Sequence, residues 1–352
     1  MINWVPEKNI NIKKVDELLQ SSINSKQFTN YGPNVQLLEK YIKEKFEICN
    51  DKSVIVVTNA SLGIQILTQG INFYENKNLQ WSTQSFTFPP SNQGTLKNSI
   101  ILDIDHEGGL NLDEVDENIN GLIVTNIFGN IVDIDKYVEY CKFNNKILIF
   151  DNAATHYTFY KGKNCLNYGN GCIISFHHTK PFGFGEGGAI IVDKKYENVI
   201  RKLINFGIGY DENLYYLQEA NNCKMSDIQA VYILQYLMDN FDNILKTHQE
   251  LYNYLIKKIK NSNIKLYPSF HDEEKNILSC FSFIFDTYKQ SKNAEEELLK
   301  NNIFCRKYYH PLKETKITCD IYNRILCVPC HKDMTFNDID NIYNTIINIF
   351  YQ

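Results

Sequence analysis

CIISFHHTKPFGFGEGGAIIV, residues Cys172 to Val192, is an apolar run that stops at Ser175 and Lys180, turns through a glycine-rich tail and enters a second apolar run. Upstream of it lies KILIFDNAATH, Lys146 to His156, another apolar strand pattern, which stops at the acid Asp151. A lysine, a hydroxyl and a carboxylate delivered at strand ends are the groups that a pyridoxal 5'-phosphate (PLP) site requires. The lysine makes the Schiff base, the acid keeps the pyridine nitrogen protonated, and the hydroxyl binds phosphate.

The remaining sequence sets bounds on this reading. At 352 residues the chain has room for two domains. Apolar residues at 43% and charged residues at 22% are ordinary for a globular protein. The formal charge is −5 and no long basic run occurs, which argues against a nucleic-acid partner. MINWVPEKNINIKK at the start lacks a signal-peptide core, and no apolar run approaches a membrane span. The 10 cysteines are scattered rather than spaced as a disulfide framework, so a reducing, cytoplasmic setting is expected.

Read in order, Val15–Leu19 and Val35–Phe46 carry helical apolar spacing around the turn-forming TNYGPN (Thr29–Asn34). SVIVV (Ser53–Val57) is a short strand that runs into TNASLGIQIL, small polar residues before a helical pattern. A strand, small residues and a helix start present free N–H groups to an anion such as phosphate. Further strands are expected at Leu79–Asn92, Ile100–Asp105 and Leu122–Asn130, with a helix at Asp135–Phe143. Nearly all-apolar strands alternating with helices predict a mainly parallel α/β sheet covered on both faces, with the ligand at the strands' carboxyl ends. Tyr196–Phe206, Ser226–Met238 and Phe241–Ile259 read as helices, the last leaving the sheet domain. Strands at Asn263–Pro268 and Ile277–Phe285, then helices at Ala294–Lys300 and Asn337–Phe350, suggest a smaller α+β domain. The expected division is a large PLP-binding domain over residues 1–240 and a small one over 241–352.

SFHHTKPFGFGEGG resembles the lysine block of the DegT/DnrJ/EryC1/StrS sugar aminotransferases, and similar elements run from TNYGP to the final helix. The resemblance implies a fold-type I PLP-dependent transferase with a seven-stranded type of sheet between helices. By the same resemblance Lys180 is the Schiff-base lysine, Ser175 a phosphate ligand and Asp151 the partner of the pyridinium nitrogen. Phe150–His156 match the family's acidic block, but Ala154 stands where many relatives carry a glutamine near the cofactor's phenolic oxygen. Asn152 or a backbone group is expected to replace that contact. Asn59, Ala60 and Ser61 match the family's N-G-T, with Ala60 and Ser61 offering phosphate contacts, and Phe88 matches the aromatic that stacks on the ring. Residues 220–225 match a degraded G-x-N-x-R-M block, which makes Asn222 a cofactor contact contributed across a homodimer interface. Substrate contacts are expected among His156, His177, Lys224, Arg306 and Tyr309, although either histidine equally suits a structural role. Lys307 is a further cation within reach of a diphosphate.

The activity implied is transfer of an amino group from L-glutamate, through the pyridoxamine 5'-phosphate form, to a nucleotide-linked keto-sugar. RKYYHPL (Arg306–Leu312) resembles members that act on hexopyranose 3- or 4-keto sugars, and the expected substrate is dTDP-4-keto-6-deoxyglucose, giving viosamine as its dTDP derivative. Amination at the 3-position and a non-catalytic PLP- or sugar-binding regulator stay open as alternatives. A dehydratase branch is disfavoured because it replaces the lysine with histidine. Gly183, Gly185 and Gly188 spell G-x-G-x-x-G, but a strand follows instead of a helix, so dinucleotide binding is not expected. Cys327 and Cys330 spell C-x-x-C without a second pair for zinc and read as packing; no metal site is expected.

Overall fold

The computed structural model describes residues 1–209, 217, 219–268 and 276–350. Helices α1 (Ile12–Ser25) and α2 (Pro33–Lys45) precede strand β1 (Lys52–Val57) and helix α3 (Ala60–Tyr74). Strands β2 (Trp81–Gln84), β3 (Ile100–Leu102) and β4 (Gly121–Thr125) follow, then α4 (Ile134–Phe143), β5 (Ile147–Asp151) and a small hairpin of β6 (Phe159–Tyr160) and β7 (Lys163–Asn164). Strands β8 (Gly171–Ser175) and β9 (Gly188–Asp193) lead into α5 (Glu197–Leu203) and α6 (Asp227–Ile259). The C-terminal part adds β10 (Lys265–Leu266), β11 (Cys280–Ile284), α7 (Tyr288–Lys300), α8 (Lys316–Arg324), β12 (Ile325–Pro329) and α9 (Phe336–Phe350).

The main sheet has seven strands in the order β1-β9-β8-β5-β4-β2-β3. Only β9 runs against its neighbours; the contacts among β8, β5, β4, β2 and β3 are parallel. Alternation along the strands explains both layers. Val54, Val56, Leu148, Phe150, Cys172 and Ile174 point into a core with α2 and the first half of α6. Ile55, Val57, Ile149, Ile173 and Ile190 point into the opposite core, under α3 and α5. The parallel strands all deliver their carboxyl ends to one edge, and β9 begins there, so Asn126, Asp151, Ser175 and Gly188 meet along a single rim.

Antiparallel β10, β11 and β12 form a second sheet. One face, with Phe281 and Phe283, packs on α7, α9 and the distal half of α6. The other, with Cys280, Ile284 and Cys327, meets Phe86, Ile104, Ile127 and Phe128 from the main sheet's rim loops. One expectation needs correction here. The helices Ser226–Met238 and Phe241–Ile259 are one continuous helix of 33 residues, capped by Ser226, whose side chain accepts from the Gln229 amide. Asn240, where a break was expected, donates its side-chain amide to the Tyr236 carbonyl instead of competing for the backbone. Helix α8, which carried no expectation, forms because Asp103 of the main sheet caps it from outside the local sequence.

Candidate active site

Ser175 ends β8, and the chain then folds into a tight turn that carries Lys180. The Lys180 amide donates to the His177 carbonyl at 2.8 Å, and the Gly183 amide donates back to the Lys180 carbonyl at 3.0 Å. Position 183 must be glycine, since a Cβ there would sit 2.1 Å from the His177 carbonyl oxygen. The turn leaves the Lys180 side chain at the wall of a cavity of about 700 Å³ on the rim between the two sheets. Burial lowers the Lys180 pKa, opposed by the nearby Asp151 carboxylate. Its amine has no hydrogen bond or ion pair among the described residues, so it is available for covalent chemistry.

Asp151 ends β5 and is buried in the same wall. Its Oδ1 accepts from the Ala153 amide at 3.0 Å and its Oδ2 from the Ser91 hydroxyl at 3.2 Å. Burial raises its pKa, offset in part by the Ala153 bond, Lys180 and Ser91. Lys180 and Asp151 are thus each pushed toward the neutral form by the same dry wall. A buried carboxylate with two neutral donors and room in front of it suits a protonated pyridine nitrogen, which would supply the missing charge-assisted bond.

The phosphate end of such a cofactor has a matching cradle. Asn59 caps α3 by accepting the Leu62 amide at 2.9 Å, leaving the Ala60 and Ser61 amides at the open helix start, where both residues line the cavity. Gly188, the first residue of β9, is pressed against this start: a Cβ would lie 2.6 Å from the Ala60 nitrogen. Ser175 lines the cavity nearby, its hydroxyl accepting the His177 amide at 3.2 Å. Phe88 stays 56% exposed although it is aromatic, because its ring faces the cavity rather than a core. The residues present therefore fit PLP.

Of the remaining expected residues, His177, Arg306 and Tyr309 also line the cavity. His177 Nδ1 pairs with the Thr179 hydroxyl at 2.9 Å, and its Nε2 lies 3.6 Å from Glu186. Tyr309 stacks on Phe128 with ring centroids 5.1 Å apart. The Arg306 guanidinium lies over the Trp4 ring at 4.8 Å and donates to the Tyr308 hydroxyl at 2.6 Å.

Others are not brought together. His156 is fully enclosed behind the wall; its Nε2 bonds the Ser175 carbonyl at 2.7 Å, and burial pushes its pKa down to about 3. It is therefore a neutral structural histidine that holds the end of β8, and its expected substrate contact is corrected. Asn222 and Lys224 also lie outside the cavity walls, bonded to each other at 2.7 Å, with Lys224 over the Phe206 ring. Lys307 donates to the Asn323 carbonyl and is likewise outside. Asn152 is buried away from the cavity and accepts from Asn126 at 2.7 Å; Asn126 is the amide side chain that lines the cavity. Sequence reasoning missed Trp4, Ser91, Asn126, Phe128 and Tyr308. Asn126 alone left a signal, as a polar residue directly after the apolar strand β4.

A lysine whose amine is unpaired among the described residues and a buried acid, both at the carboxyl rim of this sheet, are the groups that a fold-type I PLP-dependent transferase requires. The chain belongs to the DegT/DnrJ/EryC1/StrS aminotransferase family, whose sequence pattern matches residues 9–347. It is a PLP-dependent sugar aminotransferase. It is 26% identical to the dTDP-4-amino-4,6-dideoxy-D-glucose transaminase of Shigella dysenteriae, over 92% of either chain. A UDP-4-amino-4,6-dideoxy-N-acetyl-beta-L-altrosamine transaminase of Campylobacter jejuni is 24% identical over 71% of this chain and 72% of its own. Among solved structures, Helicobacter pylori PseC, an aminotransferase involved in pseudoaminic acid biosynthesis, shares the fold at TM-score 0.85 and 16% identity, covering 99% of each chain. DesI, solved with its TDP-sugar product, superposes at TM-score 0.81 and 19% identity, covering 97% of this chain and 91% of its own.

Proposed function

We propose that this enzyme moves an amino group from L-glutamate to dTDP-4-keto-6-deoxyglucose, yielding dTDP-4-amino-4,6-dideoxyglucose. The observation that carries the reading is the unpaired Lys180 amine and the buried Asp151 carboxyl, both in the wall of one cavity of about 700 Å³. The likeness to the Shigella transaminase across nearly the whole chain, and Arg306, Tyr308 and Tyr309 of the RKYYHPL segment in the cavity wall, support the choice of sugar.

PLP would be held by Lys180, by Asp151 at the ring nitrogen, by Phe88 against the ring face and by Ala60, Ser61 and Ser175 at the phosphate. When bound it supplies an electron sink that acidifies the carbon bearing the amine. Lys180, its pKa lowered by burial, takes the proton from the α-carbon of the donor and returns one to the sugar carbon that gains nitrogen. Asp151 stays charged once a cation lies beside it and so holds the ring in register. Arg306, held flat on Trp4, meets anionic groups of the substrate, and Tyr308 and Tyr309 bound the sugar subsite. Lys224, partly buried beside β1, donates to the exposed Asn222, which would reach the neighbouring subunit's cofactor phosphate in a homodimer. A cytoplasmic location suits the free thiols, and among the described residues no helix is long and apolar enough to cross a membrane.

Incubation with glutamate and dTDP-4-keto-6-deoxyglucose should give a product in which nitrogen replaces the ketone oxygen, read by mass spectrometry and by NMR at C4. Amination of the 3-keto isomer alone would overturn the position, and failure with both would overturn the sugar assignment.

A further inference from the structure

Lys8 carries a partly buried amine that the reaction just described does not use. Its Nζ donates to the Lys180 carbonyl at 2.7 Å and to the Gly183 carbonyl, and it lies 4.9 Å from the centre of the Tyr236 ring. No carboxylate pairs with it among the described residues. Its contacts are backbone dipoles and a ring face, an arrangement suited to holding a shape rather than balancing a charge. The carbonyl of Lys180 thus receives two donors, Lys8 and the Gly183 amide, while the Lys180 amide is bound to His177. Both ends of the peptide unit that bears the reactive side chain are fixed.

The segment carrying Lys8 is itself tied down along its length. Ile2 exchanges backbone bonds with Asn302 and Phe304, the Asn3 carbonyl accepts from His331 at 3.0 Å, and the Glu7 amide donates to Asp333 at 2.8 Å. Between those anchors, Trp4 supports Arg306 in the cavity wall. Residues 2–8 therefore form a strap from the second sheet's core, past the cavity, to the turn that carries Lys180.

We propose that Lys8 is a positioning residue: by clamping the carbonyls of Lys180 and Gly183 it sets where the Lys180 amine enters the cavity. Burial and Lys332 push the Lys8 pKa down to about 7, yet the neutral amine keeps enough N–H donors for both carbonyls, so the clamp holds in either form. The proposal rests on Lys180 being the cofactor-bearing lysine.

The test compares Lys8→Met, which keeps length but not donors, with Lys8→Arg, which keeps donors. In cofactor-free protein, amide exchange in the peptide spanning 177–187 should speed up roughly tenfold or more in Lys8→Met, with Lys8→Arg nearer wild type. That readout does not depend on the substrate assignment. In the PLP-loaded enzyme, Lys8→Met should lower kcat on the order of 10–100-fold with KM within about threefold, and shift the pH midpoint of the bound-cofactor absorbance. Wild-type exchange and an unmoved absorbance titration in Lys8→Met would overturn the proposal. So would a general loss of stability in which the folded fraction keeps wild-type kcat, since Lys8 would then only brace the fold. Loss of activity in Lys180→Ala but not in Lys8→Met would leave the enzyme assignment standing and remove this one.

Discussion

Burial lowers the pKa of the Lys180 amine and raises that of the Asp151 carboxyl. Each is thereby pushed toward its neutral form; in the proposed reaction a bound cationic ring would restore the charge on the acid and leave the amine to move protons. Lys180→Ala should abolish the yellow colour of the cofactor-loaded protein and cut turnover by roughly 1,000-fold or more, while cofactor-free protein stays folded by circular dichroism. Asp151→Asn should still bind PLP but lose at least about 100-fold in kcat; near-normal turnover would contradict its role at the ring nitrogen. His156 makes a different prediction, about stability. It is neutral in the fold, with a pKa near 3, and returns to the ordinary histidine range near 6.5 when the chain unfolds. Between those values the unfolded chain binds more protons, so stability falls as pH drops from 6.5 toward 3. Urea denaturation at pH 7 and pH 5 should show a loss on the order of 1–2 kcal/mol from this group, absent in His156→Gln. The acid, the hydroxyl and the lysine were legible as residues because they interrupt apolar runs at strand ends. The role of His156 was not: a histidine five residues past a strand looks the same in sequence whether it faces a cavity or a carbonyl.

At the scale of elements, close approaches decide the site. Strand β9 begins against the first turn of α3, and only glycine fits at 188. Gly188→Ala should push the Ala60 and Ser61 amides out of place and weaken cofactor binding by about tenfold or more, at a cost of roughly 1–3 kcal/mol in stability. Isothermal titration of the cofactor-free protein and thermal unfolding check the two effects separately. Helix α8 illustrates an element that its own sequence does not announce. Asp103 accepts from the Ile317 and Thr318 amides and from the Thr315 and Thr318 hydroxyls, at 2.7 to 3.0 Å, more than two hundred residues away in sequence. Burial raises its pKa, but these hydrogen bonds outweigh that and hold it below the usual carboxylate range. Asp103→Ala should cost about 2–4 kcal/mol by chemical denaturation, and the stabilisation it provides is present above the unfolded carboxylate's pKa and lost as pH falls below it. Strands were readable because apolar runs of this length bury both faces. The division of α6 was misread because asparagine and aspartate near residue 240 suggest a turn, while packing along the whole helix favours continuity.

At the scale of the whole molecule, the seven-stranded and three-stranded sheets meet through Phe86, Ile104, Ile127 and Phe128 on one side and Cys280, Ile284 and Cys327 on the other. The cavity opens along this seam; in the proposed function the main sheet would supply the cofactor groups, and Arg306, Tyr308 and Tyr309 beside the second sheet would supply the substrate wall. Asn222 and Lys224 lie outside that cavity, and their proposed work requires a second subunit. Light scattering at working concentration should give a dimer mass, and Asn222→Ala should weaken PLP binding by about 3–10-fold without changing that mass. The succession of strands along the chain, and the lysine and acid that follow them, were legible in the sequence itself, because hydrophobic periodicity and residues that end strands are local properties. What only the tertiary structure decided is what meets at the rim. Trp4 and Lys8 reach the site from the first few residues, Asn126 lines the cavity while Asn152 is buried behind it, and His156 turns away to a carbonyl. Those outcomes depend on side-chain direction and on contacts spanning hundreds of residues, which no local pattern encodes.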